Sequence, residues 1–215
     1  MLTTDTQLLR FEPNLFNEIQ WLSQRLLKAA GTVSGTTLTI SSFDASFDGV
    51  QLAPGMVLLI NNIPHEVIAR LSATTAQVSR LRASNTDPIL TPAPIAGAEV
   101  VLHTFQPQIA LASLSILRKL GLDPDQPATN PDGSPAPRIT DAASLEPAAA
   151  LFTLAMLYLS AAHLQAPDTA ASRRAVRYQQ LAAFERRALA AQIDTDGDGQ
   201  PDATRRTSIV PLDRT

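Results

Sequence analysis

The chain has no cysteine, which excludes disulfide bridges and any chemistry that runs through a thiolate. Charge is scarce as well. Asp, Glu, Lys and Arg make up 17% of the residues, against about 25% in an ordinary soluble protein. More of the surface than usual is therefore uncharged, which favours a protein that lives inside an assembly. The formal net charge of −3 argues against a general nucleic-acid binder, whose affinity rests on neutralising phosphates. There are three histidines, His65, His103 and His163, and none has a second histidine or an acid at i+3 or i+4. The chain carries no Gly-x-Ser-x-Gly, no Walker loop and no dinucleotide-type glycine pattern. Gly31-x-x-x-Gly35-Thr-Thr lacks the lysine that would reach a phosphate. Paired carboxylates for acid–base work are not recognisable, so an enzyme is not expected. The opening residues Met1 to Gln7 lack a basic region followed by an apolar core, and no signal peptide is expected.

What is present is organised around residues 145–193. The block 147–164 is almost uncharged, with Pro147 suited to a first helical turn. It is shorter than the roughly 20 apolar residues a membrane span needs and rich in alanine, so a buried helix is expected, with Ala155 in its packed interior. Residues 166–168 break it. A second helix over 172–193 follows, with Tyr178, Leu181, Ala188 and Leu189 near helical spacing among Arg173, Arg174, Arg177, Arg186 and Arg187. Two such helices joined by a short turn are expected to pack antiparallel, the amphipathic one covering the apolar one. The arginines read as a solvated face or as a surface for a carboxylate-bearing partner.

Upstream, Leu15, Ile19, Leu22, Leu26 and Ala30 follow helical spacing, so a first helix is expected over 13–30 with Gly31 as its stop. The period then shortens to two. Residues 37–41, 56–60, 65–69, 76–81 and 99–103 read as about five strands, punctuated by Asp48-Gly49, Pro54-Gly55 and Asn61-Asn62. Short strands so closely spaced are expected to close into a small barrel. A helix over 107–120 follows, and then 122–141, with prolines at 124, 127, 131, 135 and 137, reads as a long surface loop. At 215 residues the expectation is an α+β chain: an α-helical bundle with a small inserted β-barrel-like unit and an extended C-terminal tail. Residues 1–31 and 105–193 would form the helical domain, 32–104 the inserted β unit and 194–215 the tail.

One motif is sharp. In a calcium loop of the EF-hand type, oxygens come from positions 1, 3, 5, 7 and 9, with glycine at 6 and a bidentate glutamate at 12. Asp194, Asp196 and Asp198 match the first three, Gly199 the glycine, the Gln200 carbonyl position 7 and Asp202 position 9. Arg205 stands where the glutamate should be. The same residues also read as an Asp/Gly-rich turn that ends the helix and needs no metal. Calcium is the one cofactor the pattern could hold.

The order of elements, together with Ala149-Ala-Leu-Phe-Thr-Leu-Ala-Met-Leu-Tyr158, the Arg177-Tyr178…Phe184-Glu185 helix and the Ile193-Asp-Thr-Asp-Gly-Asp-Gly close with Arg205-Arg206, resembles the head–tail adaptor proteins of tailed bacteriophages and gene transfer agents. The resemblance implies a homo-oligomeric ring, commonly dodecameric, beneath the portal protein at the head–tail interface of the virion. It would contact a tail or stopper protein, pass DNA without sequence preference through its lumen, and have no membrane partner. It also implies a C-terminal extension gripping the portal, for which Arg205, Arg206, Ile209, Val210, Leu212 and Arg214 are the candidates. The rival reading, resting on residues 194–202 alone, is a calcium-dependent interaction module of a secreted or surface protein.

Overall fold

A computed structural model describes residues 1–123, 125, 129, 133–164 and 169–207. The chain is α+β and divides into two compact units, Thr4–Gln106 and Met1–Thr3 with Pro107–Thr215.

The first unit is a closed, wholly antiparallel barrel of six strands, introduced by two short helices, α1 (Asp5–Phe11) and α2 (Leu15–Glu18). Its strands are β1 (Arg25–Ser34), β2 (Thr37–Ser41), β3 (Val57–Ile60), β4 (Ile63–Arg70), β5 (Thr75–Ser79) and β6 (Ile95–His103), in the order β1-β2-β5-β4-β3-β6. Closure leaves no free edge on which another chain could add a strand. The interior follows from alternation: Leu27, Ala29 and Val33 of β1 meet Leu38, Ile40, Leu58, Ile60, Val78, Val100 and Leu102 in one buried cluster. The β3–β4 turn is tight, with Ile60 paired to Ile63 and both Asn61 and Asn62 at positive φ. Asparagine tolerates that conformation, which gives a two-residue hairpin the twist its strands need.

The expected helix over 13–30 does not form. Residues 25–34 are strand, and the two helices before them belong to the barrel unit, so its boundaries fall at 3/4 and 106/107, not at 31/32 and 104/105. Leu22, Leu26 and Ala30 have helical spacing, but Leu27, Ala29, Gly31 and Val33 alternate equally well, and the burial follows the alternation. The longer-range requirement decides between them. β1 pairs with both β2 and β6, and without it the barrel would stay open. Gly31 is thus an interior strand residue and no helix stop. A Cβ there would lie 2.9 Å from Val100 Cγ2 and 3.1 Å from the Thr39 carbonyl oxygen.

The second unit contains three long helices and a small sheet. α3 (Gln106–Lys119) and α4 (Glu146–His163) fall where the periodicity puts them. α4 is the apolar helix: Ala148, Ala149, Ala150, Leu154, Leu157 and Tyr158 are all buried. The stretch Ala143–His163 is long and apolar enough to cross a membrane, and 61% of its most apolar window is buried by the rest of the chain. α5 (Ala170–Ala188) packs on α4, with Tyr158 and Tyr178 stacked at a centroid distance of 5.4 Å and Arg174 Nη1 donating to the Tyr158 hydroxyl at 3.3 Å. The late part of α4 thus meets the early half of α5, as in an antiparallel pair. The expected turn at 166–168 lies outside the described residues.

α5 stops five residues short of the expected end at Ile193. Leu189 is extended, and Ala190–Asp194 is strand β8, flanked by β7 (Arg138–Ile139) and β9 (Ala203–Arg206). Leu189, Ala191 and Ile193 alternate into a core with Ile116, Leu120, Leu122, Leu145 and Ala149. Burial on one face of a strand outweighs continuing a helix whose next residues would turn this apolar set around its axis. Residues 194–207 are therefore part of the fold, which corrects the expected tail over 194–215; residues 208–215 lie outside the described ones. The proline-rich 122–141 supplies strand β7 at its end and is not wholly a loop.

Candidate functional site

The Asp-rich motif is the hairpin loop between β8 and β9. Its entry is strand, where a helix was expected to run into it. Asp194, at the end of β8, is buried, and its carboxylate accepts backbone N–H bonds from Gly197 at 2.6 Å, Asp196 at 3.2 Å and Gly199 at 2.9 Å. Gly197 and Gly199 both sit at φ +83°, the left-handed region that lets the chain wrap around that carboxylate. Asp202 closes the loop, taking the N–H and the hydroxyl of Thr195 at 2.7 and 2.8 Å. These bonds hold its carboxyl below the usual carboxylate range. Among the described residues, Asp194, Asp196 and Asp202 are the one group of three or more acids or histidines whose ligand atoms converge, all within 4.8 Å.

Asp198 is not in that group. Its Oδ1 accepts the Gln200 N–H at 2.7 Å, and Asp198 is exposed. The five positions matched by spacing therefore divide into three carboxylates that converge and two positions, Asp198 and Gln200, outside that group, the Gln200 N–H donating to Asp198 Oδ1. Beside the loop, Pro135, Arg138, Thr140, Asp194 and Asp196 line a pocket of about 500 Å3, which no spacing rule announced because its walls come from segments 54 or more residues apart.

Of the docking candidates, Arg205 is turned into the fold. Its Nη1 donates to the carbonyls of Leu120 at 3.1 Å and Gly121 at 2.8 Å, the acceptors left open where α3 ends. Arg206 stands exposed on β9. Ile209, Val210, Leu212 and Arg214 lie outside the described residues.

The α4–α5 pair presents a second feature. Leu181, expected in the apolar stripe of α5, is on its outer side, together with Val176 and Phe184, which is 68% exposed. Arg173, Arg177, Arg186 and Arg187 are exposed beside them. Between the helices runs an apolar groove of about 210 Å3 lined by Phe152, Ala155, Met156, Leu159, Ala182 and Arg186 among others. Ala155 is half-buried on this groove and does not lie in the packed interior. Apolar residues on an outer helix face break the amphipathic rule, and that break was the signal a helical wheel of α5 could have given.

The histidines are separate. His65 and His103 are on the strands either side of β3, and His163 is exposed at the end of α4. His65 Nδ1 donates to the Ile63 carbonyl at 2.8 Å, and burial lowers its pKa. Burial also lowers that of His103, helped by the nearby Arg25 cation. Two further buried charges have local partners. Glu66 accepts from the Arg82 Nε at 2.7 Å and from the Arg82 N–H at 2.9 Å. Asp5 accepts from the Thr104 hydroxyl and the Phe105 N–H at 2.7 and 2.8 Å. Both bind loop or helix-start backbone to the barrel and need no ligand. Comparison with family models, with known proteins and with solved structures finds no match to this chain.

Proposed function

We propose that the chain is a structural virion protein, a head–tail adaptor that assembles as a homo-oligomeric ring below a portal protein and connects a DNA-filled head to a tail. The observation that carries this reading is the outer face of α5. There Val176, Leu181 and Phe184 are exposed among arginines, a mixture enriched at protein interfaces and out of place on a free helix. In this reading α3, α4 and α5 form the bundle of the ring, commonly dodecameric, and the ring contacts a tail or stopper protein. The low charge content, 17%, suits a subunit whose surface is largely covered by its neighbours. A net charge of −3 suits a duct that DNA must pass through without sticking. Arg206, Ile209, Val210, Leu212 and Arg214 are the residues that would grip the portal.

The test is the mass of the purified protein in solution, alone and with portal. A ring that forms alone or on the portal is expected, and Phe184→Asp should abolish it while leaving the melting temperature unchanged. A protein that stays monomeric and ignores the portal at every concentration would overturn the reading.

The second reading, a calcium-dependent interaction module, is favoured by the convergence of Asp194, Asp196 and Asp202 within 4.8 Å. Without a closing glutamate, calorimetry should find binding no tighter than the roughly 10⁻⁴–10⁻³ M of loosely built sites. Sub-micromolar affinity would favour the module over the adaptor.

A further inference from the structure

We infer that copies of this chain join head to tail, the exposed aspartate loop between β8 and β9 of one copy lying on the outer face of α5 in the next. The contact rests on the ring proposed above and names the two surfaces that build it. At 3.6 residues per turn, Arg173, Arg177, Phe184 and Arg187 fall within about 80° of one another around α5. They form an exposed stripe roughly 21 Å long at 1.5 Å per residue, opposite the buried Ala175, Tyr178 and Ala182. Glu185, the one acid of α5, is half-buried and lies off the stripe. Among the described residues, none of these three arginines has an ion-pair partner.

The loop is the complement in charge. Every residue from Thr195 to Asp202 is exposed; Asp196, Asp198 and Asp202 are among them, and none is basic. Arg138, opposite Asp194 in the sheet, forms no ion pair with them among the described residues. Arginine takes carboxylates in paired hydrogen bonds, and exposed Pro201 offers Phe184 an apolar surface. Single exposed ion pairs contribute little, so the phenyl ring supplies affinity and the charges set orientation. The loop does not meet its own helix. The β8–β9 pairing, the backbone bonds to Asp194 and the Thr207 hydroxyl on the Arg186 carbonyl fix the hairpin, with loop and stripe both left in solvent. Stripe against stripe would set arginine on arginine, whereas stripe against loop joins unlike surfaces, the kind of contact that closes into rings.

Two full-length variants test the contact by complementation. Arg173→Glu with Arg177→Glu spoils the stripe and keeps the loop. Asp196→Asn with Asp198→Asn removes charge from the loop, keeps its hydrogen-bond acceptors and leaves the stripe. By sedimentation, the parent should form a species larger than a dimer, and each variant alone should be a monomer with the parent's melting temperature. Mixed in equal amounts, the two variants should give a one-to-one dimer and nothing larger, since one good stripe meets one good loop. A mixture that stays monomeric would overturn the inference and assign the stripe to a different protein. A ring that persists in either variant would overturn it while leaving the adaptor reading intact. A parent that stays monomeric at every concentration would overturn it too, and assembly on the portal alone would then still support the adaptor. The parent also reports without substitution: salt screens exposed charges over about 10 Å at 0.1 M, so raising sodium chloride about tenfold from 0.05 M should raise the concentration needed for assembly at least tenfold. Assembly indifferent to salt would refute a contact built on these charges.

Discussion

Asp5 offers the most quantitative test of how the barrel unit is held together. It sits in the first turn of α1 behind the Thr4 cap and is 1% exposed. Loss of water raises its pKa from the ordinary 3.8 to about 6, against the opposing pull of the Thr104 hydroxyl and the Phe105 N–H. Between those two pH values the folded chain holds a proton that the unfolded chain has released. The stability contributed by this group is therefore full below about pH 4 and is lost as pH rises through about 6. At about 1.4 kcal/mol per pH unit, the loss is roughly 3 kcal/mol. Asp5→Asn keeps an acceptor for the Phe105 N–H and never ionises. It should match the parent at pH 4 and exceed it by about 2–3 kcal/mol at pH 7. Urea unfolding at pH 4, 5, 6 and 7 measures this, followed by the fluorescence of the single tryptophan. That residue, Trp21, lies edge-on to Phe105 at 6.3 Å within the same unit. Taking the difference between variant and parent cancels the titration of His65 and His103. A difference that stays flat from pH 4 to 7, or a variant less stable than the parent at pH 7, would refute the reasoning. The carboxylate would then be a structural anion held by its donors.

Gly31→Ala should lower the stability of the barrel unit by about 1–3 kcal/mol, because the new methyl meets Val100 and the Thr39 carbonyl; an unchanged urea midpoint would show that the interior has room. Ala149→Asp, at a fully buried position of α4, should cost several kcal/mol, whereas Ala155→Asp on the groove should cost far less. Equal losses in thermal melts would contradict the burial pattern. Arg205→Ala removes the donor to the Leu120 and Gly121 carbonyls and should destabilise the helical unit by about 1–3 kcal/mol. A variant that melts with the parent would return this arginine to the docking surface.

Local pattern was enough for much of the molecule. Alternation marked four of the six barrel strands and a short apolar run a fifth, β3, Asn61-Asn62 marked a hairpin turn, and an alanine-rich run without charge marked a buried helix, α4. In each case burying one face or one whole surface requires a period that is written in consecutive residues. The spacing of Asp194, Asp196 and Asp202 likewise announced carboxylates that converge. Where two periods coexisted, local pattern could not choose. Residues 22–34 satisfy both helix and strand, and β1 forms because β2 and β6 both need a partner between them. Residues 189–193 continue α5 on paper, but become β8 because β9 returns beside them and a core waits on one side. Arg205 reads as a free cation until the end of α3, 85 residues earlier, is brought to it. Periodicity thus determined which segments were amphipathic and at what spacing; tertiary pairing decided which spacing was used, since a strand has no stable partner until the chain folds back to supply one.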